Sequence, residues 1–280
     1  MDAVNNKALV SMAVAPGVGG FQFLDLGTSL FEPSFASMAP LGGFANISEN
    51  PLIDPIRNLL LSATENNDYE IIDVTVTLAP LFFENPIAVP AGILDSSGED
   101  CSTGIVLAPS EFSGPSLVYI ADISNPVFAP FTPGAPGTWT APQQVQSLSE
   151  SFLSAGASGI AVAQGTHTGI VTGEFGGAAI TAILLPSTSG SGAVPAILDW
   201  VTCSIPAPWS HGLDPHTVTA YQSPNSGNAV ALLADFPVTR VAVVDLTDML
   251  DITMLPRTVG GHGCAAGVLP ASIVSFVPVP

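Results

Sequence analysis

Positive charge is what this sequence most lacks. Its 280 residues include only four Lys and Arg (Lys7, Arg57, Arg240 and Arg257) against 23 Asp and Glu, a formal net charge of −19. Charged residues make up 10% of the chain, where an ordinary soluble domain has about 25%. The acidity therefore comes from missing cations and not from an unusual load of carboxylates. Four scattered cations form no Lys/Arg stripe, which excludes binding to a nucleic-acid backbone and disfavours an anionic membrane surface. Long apolar runs are also missing. Gly and Pro interrupt every run before the roughly 18 residues of a membrane-spanning helix, so no span is expected. The opening MDAVNNKALV has neither the basic nor the apolar region of a secretory signal. Cysteine is scarce too: Cys101, Cys203 and Cys264 show no CxxC or CxxH spacing, so neither a zinc site nor a covalent haem is indicated. One intramolecular disulfide is the maximum. Cys203–Cys264 is the favoured pair, because both fall in the C-terminal part outside the expected strands; three reduced thiols are the alternative.

What the chain does have is core material and turns. Hydrophobic residues amount to 47%, with 27 Gly and 26 Pro spread along the sequence between short apolar runs, a pattern of many strands and few long helices. An internal repeat organises those runs. NKALVSMAVAPGVGGFQFLDL, RNLLLSATENNDYEIIDV, TGIVLAPSEFSGPSLVYIADI, TGIVTGEFGGAAITAILL and NAVALLADFPVTRVAVVDL each read as a strand, a small turn and a second strand. The second strand ends at Asp25, Asp73, Asp122, Leu184 and Asp245, with spacings of 48, 49, 62 and 61 residues. Flanking strands are expected at GIAVAQ, HTVTAYQS, AVPAILDWV and ASIVSFVPV. A period of this length fits one four-stranded sheet per repeat. The expected fold is all-β: a β-propeller of five four-stranded blades, or six if the chain ends share one, forming a single domain over residues 1–280. Only residues 143–156, QQVQSLSESFLSAG, read as a helix.

The motifs GIAVAQGTHTGIVTGEF and NAVALLADFPVTRVAVVDL resemble the YVTN/NHL-type β-propeller repeats of secreted bacterial proteins. The YVTN tetrapeptide itself is missing, and the fourth copy lacks the terminal Asp. The resemblance implies an extracellular or periplasmic location. It also implies one of two kinds of role, since the family includes non-catalytic binding modules and lactone-hydrolysing relatives.

Aligning the copies puts Glu65, Glu111, Glu174 and Asp235 in one register, at the end of the first strand of each hairpin. Equivalent positions in a propeller sit at equivalent heights around one axis, so these four would form a ring of oxygen ligands suited to Ca²⁺. As local hairpin caps they would need no ion. A second cluster, WSHGLDPHTVTAY, holds His211, Asp214 and His216, a set that could bind a ligand or carry a proton. In an extended chain the two histidines would point to opposite faces, which favours turn residues. His167 and His262 read as loop residues. The acidic loop with Asp95, Glu99 and Asp100 departs from the EF-hand pattern. The expected function is a non-catalytic, exported propeller that binds protein or self-assembles into a surface layer or filament. The alternative is a Ca²⁺-dependent lactone or ester hydrolase using the acidic ring as a Lewis-acid site.

Overall fold

The computed structural model describes residues 7–15, 18–25, 34–36, 51–63, 68–73, 81–88, 96–109, 116–124, 137–138, 146–150, 157–173, 179–188, 197–206, 218–234 and 240–278. Nearly all of them are in strands or the turns between strands. The first sheet contains β1 (Lys7–Ala15), β2 (Val18–Asp25) and β3 (Ser34–Ala36). The second is an antiparallel meander of β4 (Leu52–Asp54), β5 (Leu59–Ala63), β6 (Asp68–Asp73) and β7 (Leu81–Ala88). The third contains β8 (Gly98–Asp100), β9 (Ile105–Pro109) and β10 (Ser116–Asp122). The short β11 (Gly137–Thr138) runs parallel to β7 at the edge of the second sheet, and β12 (Gln146–Glu150) completes the third beside β10. The fourth sheet is the meander β13 (Ala157–Ala163), β14 (Thr168–Gly173), β15 (Ala179–Leu184) and β16 (Asp199–Ser204). The fifth begins with β17 (Val218–Gln222), β18 (Ala229–Ala234) and β19 (Arg240–Asp245), and continues after a short helix, α1 (Leu246–Leu250). Next, β20 (Gly263–Val268) pairs in parallel with β16, and β21 (Val274–Pro278) returns to close the fifth sheet beside β19.

All five hairpins read from the repeat are present, in a common register. The last residue of the second strand faces the opening of the first in each: Lys7↔Asp25, Leu59↔Asp73, Ile105↔Asp122, Thr168↔Leu184 and Val230↔Asp245. The chain is thus a repeat protein of mainly antiparallel β-sheets, two of which carry a parallel edge strand. Within the stretch read as a helix, the described residues Gln146–Glu150 are not helical: they pair with Ser116–Ile120 as β12, and the rest of 143–156 lies outside the described residues. Gln-Ser-Leu-Ser-Glu has no apolar stripe at helical spacing to bury, whereas strand pairing satisfies its backbone groups on the edge of β10.

Contacts group the chain into two compact units, Met1–Ser97 with Asn125–Gln143, and Gly98–Ser124 with Gln144–Pro280. The core is clearest in the second. Ile105, Leu107, Val118 and Ile120 of the third sheet pack on Ile160, Val162, Val171 and Ile183 of the fourth. The opposite face of the fourth sheet, with Ile170, Ile180, Ala182, Val201 and Cys203, packs on Ala229, Ala231, Leu233, Ala242 and Val244 of the fifth. Successive side chains of a strand point to opposite faces. A sheet covered on both sides therefore needs apolar or hydrogen-bonded residues at every position. That is why β14 is buried throughout, while β18 alternates buried with half-buried residues. The polar pair inside the fourth sheet is matched across the strands: Thr181 and Thr202 are opposite each other, hydroxyl to hydroxyl at 2.7 Å. Among the described residues no helix is long and apolar enough to cross a membrane.

Candidate interaction site

Between β19 and β21 the chain leaves its sheet and makes an excursion over residues 246–273 before returning. Asp245 starts it by capping α1, its carboxylate accepting from the Asp248 N–H at 3.0 Å, a usual helix-start role for Asp. Leu246 and Met249 of α1 are buried in the core, as is Leu255 beyond it. A turn follows in which Asp251 accepts from the N–H and hydroxyl of Thr253, both at 2.8 Å. The chain then folds back on itself around Thr258–Gly263, where the Thr258 N–H donates to the Gly263 carbonyl at 2.8 Å.

Three side-chain ties fasten this excursion to β16. Cys203 and Cys264 form a disulfide with Cα atoms 5.4 Å apart. Both cysteines lie inside paired strands and not outside them, so the parallel pairing of β16 with β20 is what brings them together. Arg257 grips Asp199 with both terminal nitrogens at 2.6 Å and also donates to the Leu250 carbonyl at 3.0 Å. The Arg257 hydrogen bond, ahead of the opposing effect of burial, holds the Asp199 carboxyl below its ordinary range. His262 stacks on Trp200 with ring centroids 3.7 Å apart, and its Nδ1 donates to the Trp200 carbonyl at 2.9 Å. A small half-open pocket lies against the disulfide, lined by Thr202, Ser204, Thr258 and Gly267.

The fork on Asp199 depends on the planar guanidinium. Arg257→Lys keeps the charge but loses one of two parallel bonds, and is expected to lower stability by about 1 kcal/mol, because the partner carboxylate is partly solvated. Chemical denaturation of the two proteins side by side checks this; an unchanged midpoint would show that charge alone holds the loop.

Although anchored this firmly, the excursion presents apolar side chains to solvent. Ile252 is 63%, Met254 44% and Val259 107% exposed, and Val268 is 45% exposed. The neighbouring charges are anionic. Asp248 has its carboxyl raised above the ordinary value by burial and then by the negative charges of Asp245 and Asp251, while the bonds from Thr253 keep Asp251 readily ionised.

A second arrangement recurs at the hairpin turns. Asp54 and Asp100 each end the first strand of their sheet, and each carboxylate folds the turn that follows. Asp54 accepts from the N–H groups of Ile56 (2.8 Å) and Arg57 (3.1 Å) and pairs with the Arg57 guanidinium at 2.9 Å. Asp100 accepts from the N–H (3.1 Å) and hydroxyl (2.6 Å) of Ser102. Each turn closes on a left-handed residue, Asn58 or Gly104, and so does the next one along, at His167. His167 then donates through Nδ1 to Asp100 at 2.6 Å, linking the turn of the fourth sheet to that of the third. Gln164 repeats the link, accepting from the Cys101 N–H at 3.0 Å and donating to the Glu99 carbonyl. Burial alone would raise the Asp100 carboxyl, but the bonds from Ser102 and His167 outweigh it and hold it low.

Glu65, Glu111, Glu174, Asp235, His211, Asp214, His216 and Asp95 lie outside the described residues. Glu99 and Asp100, expected in a loop, are buried at the end of β8. His167 and His262 do sit in turns, yet each is committed to a partner that linear reading could not supply. Asp54, Asp199, Trp200 and Arg257 were missed altogether. For Asp54 and Asp100 a signal existed: DPIRNLLL and DCSTGIVL share an Asp, a three-residue turn and an Asn or Gly before an aliphatic run.

No protein-family model matches the sequence, and no curated protein does either. Among solved structures the chain is similar to the WD40 repeats of RRP9, at 12% identity and a TM-score of 0.45, over 72% of this chain and 49% of that one. It is similar to U3-55K at 11% identity and 0.45, over 73% and 50%. It is also similar to a chain of a nidogen/laminin complex at 12% identity and 0.45, over 86% and 90%. The chain spans about half the length of the first two.

Proposed function

We propose that this protein is an exported β-propeller that acts as a non-catalytic protein-binding module, with the 246–273 excursion as its contact surface. The observation that carries the reading is the combination of rigid anchoring and apolar exposure. A loop held by a disulfide, a forked ion pair and a ring stack has little conformational freedom left to lose when a partner binds. Exposed Ile252, Met254 and Val259 supply the apolar area that contact would bury. The propeller reading is supported by a succession of antiparallel sheets sharing one hairpin register, four of which contain four antiparallel strands. Export is supported by the disulfide, which belongs to oxidising compartments. Binding a different protein is favoured over self-assembly, since two copies would each bring a charge of −19.

A peptide-display selection on the immobilised full chain tests the reading. Enriched peptides are expected to lose binding at least tenfold, about 1.4 kcal/mol, to a Met254→Ser/Val259→Ser variant. Both sites are exposed, so the variant should match the parent in its circular dichroism. Peptides that bind parent and variant equally, or a selection that enriches none, would overturn it.

A further inference from the structure

We infer that the partner surface taken by the excursion is a cationic amphipathic segment, with Lys or Arg side chains flanking an apolar stripe. The inference rests on the binding-module reading above and adds the chemistry of the partner.

Charge on the excursion is one-sided. Asp248 and Asp251 flank the end of α1, and Asp251 opens the turn that carries Ile252 and Met254. The one cation of the excursion, Arg257, is spent on Asp199 through both terminal nitrogens. The exposed Arg240 begins β19 and lies about 17 Å along that strand from Asp245, too far to neutralise that carboxylate through solvent. The mutual repulsion of Asp245, Asp248 and Asp251, which contributes to the raised Asp248 carboxyl, is what a neighbouring cation would relieve. Ile252 and Met254 lie on one side of Arg257 in the sequence and Val259 on the other, and the bond from Arg257 to the Leu250 carbonyl ties the residue between them back to the end of α1. An occupant must therefore offer apolar area and positive charge together. A second copy of this chain offers no such segment among its four cations, Lys7, Arg57, Arg240 and Arg257.

The test uses the full chain and three defined synthetic peptides: a Lys/Leu amphipathic helix, a Glu/Leu helix of the same pattern and a Lys/Ser peptide of the same charge as the first. The Lys/Leu peptide is expected to bind at least tenfold more tightly than either of the others. Asp248→Asn/Asp251→Asn should weaken it about tenfold and flatten its salt dependence, as should Met254→Ser/Val259→Ser without changing that dependence. A control with the same change in net charge elsewhere in the sequence, Asp2→Asn/Glu49→Gln, should leave affinity within about twofold. Equal loss in the control would mean that the peptide senses only the field of the whole molecule, which overturns the inference. So would a Glu/Leu peptide that binds as well as Lys/Leu while still depending on Met254 and Val259; that outcome would leave the binding-module reading intact.

Discussion

Replacing both Cys203 and Cys264 with alanine is expected to lower the unfolding free energy by about 4 kcal/mol. The disulfide joins residues 61 apart in sequence, and the chain entropy it removes from the unfolded state grows with the loop it closes. Loss of native packing adds little to this, because alanine still fills part of each site, although both cysteines are almost wholly buried at 2% and 4% exposure. Equilibrium denaturation in urea checks the magnitude. Hydrogen exchange checks the location: protection should fall first over Gly263–Val268, which hangs on β16 through this bond and a short parallel pairing. If exchange instead rose equally in every sheet, the excursion would be part of one cooperative core and not an element latched onto it. Dithiol reduction of the unaltered protein should act slowly for the same reason, waiting on local opening to expose the sulfurs. In binding, the double variant should also lose affinity for any peptide held by the excursion, because the loop must then be ordered during binding.

Asp100 gives the second large effect. Its side chain is fully buried, and it anchors both its own turn and His167 of the adjoining sheet. Asp100→Ala removes all three bonds and is expected to cost about 2–3 kcal/mol, less than a fully buried pair because the His167 side chain is 27% exposed. Asp100→Asn should cost less, since the amide oxygen still accepts from Ser102. The pH dependence has a definite sign. The folded carboxyl sits below its ordinary value of 3.8, so the unfolded chain holds the proton more tightly. The stability Asp100 adds is complete above that ordinary value and disappears as the pH falls through the folded one. The urea midpoints of the parent and Asp100→Asn should therefore converge on going from about pH 6 to about pH 3. A gap that stays constant over that range would mean that the aspartate acts by shape alone.

The hairpins were legible because they are local. Each comprises an apolar strand, a Gly-, Pro- or Asn-rich turn and a second strand, all within about twenty residues, and the recurrence at 48 to 62 residues marks the repeat. The short strand at Gln146–Glu150 was not legible, since Gln-Ser-Leu-Ser-Glu has no strong period of either kind and its strand state is conferred by β10. The turn aspartates Asp54 and Asp100 carried a readable motif, but the attachment of His167 to Asp100, 67 positions away, did not. Nor did anything near Arg257 in the sequence point to Asp199, 58 residues earlier.

The shortage of cations, the all-β character, the five hairpins and their shared register belong to the sequence by itself, because alternation, turn chemistry and composition act over a few neighbouring residues. Tertiary structure alone decided which sheet faces are covered, that β20 runs beside β16 and so brings Cys203 to Cys264, and that Arg257 is spent on Asp199. Those are contacts between segments tens of residues apart, which exist only once sheets have stacked and the chain has paid the entropy of bringing them together. The same stacking leaves Ile252, Met254 and Val259 in solvent on the excursion that also carries Asp248 and Asp251. A scarcity of positive charge spread along a sequence thereby becomes a single anchored excursion that carries both exposed apolar side chains and carboxylates.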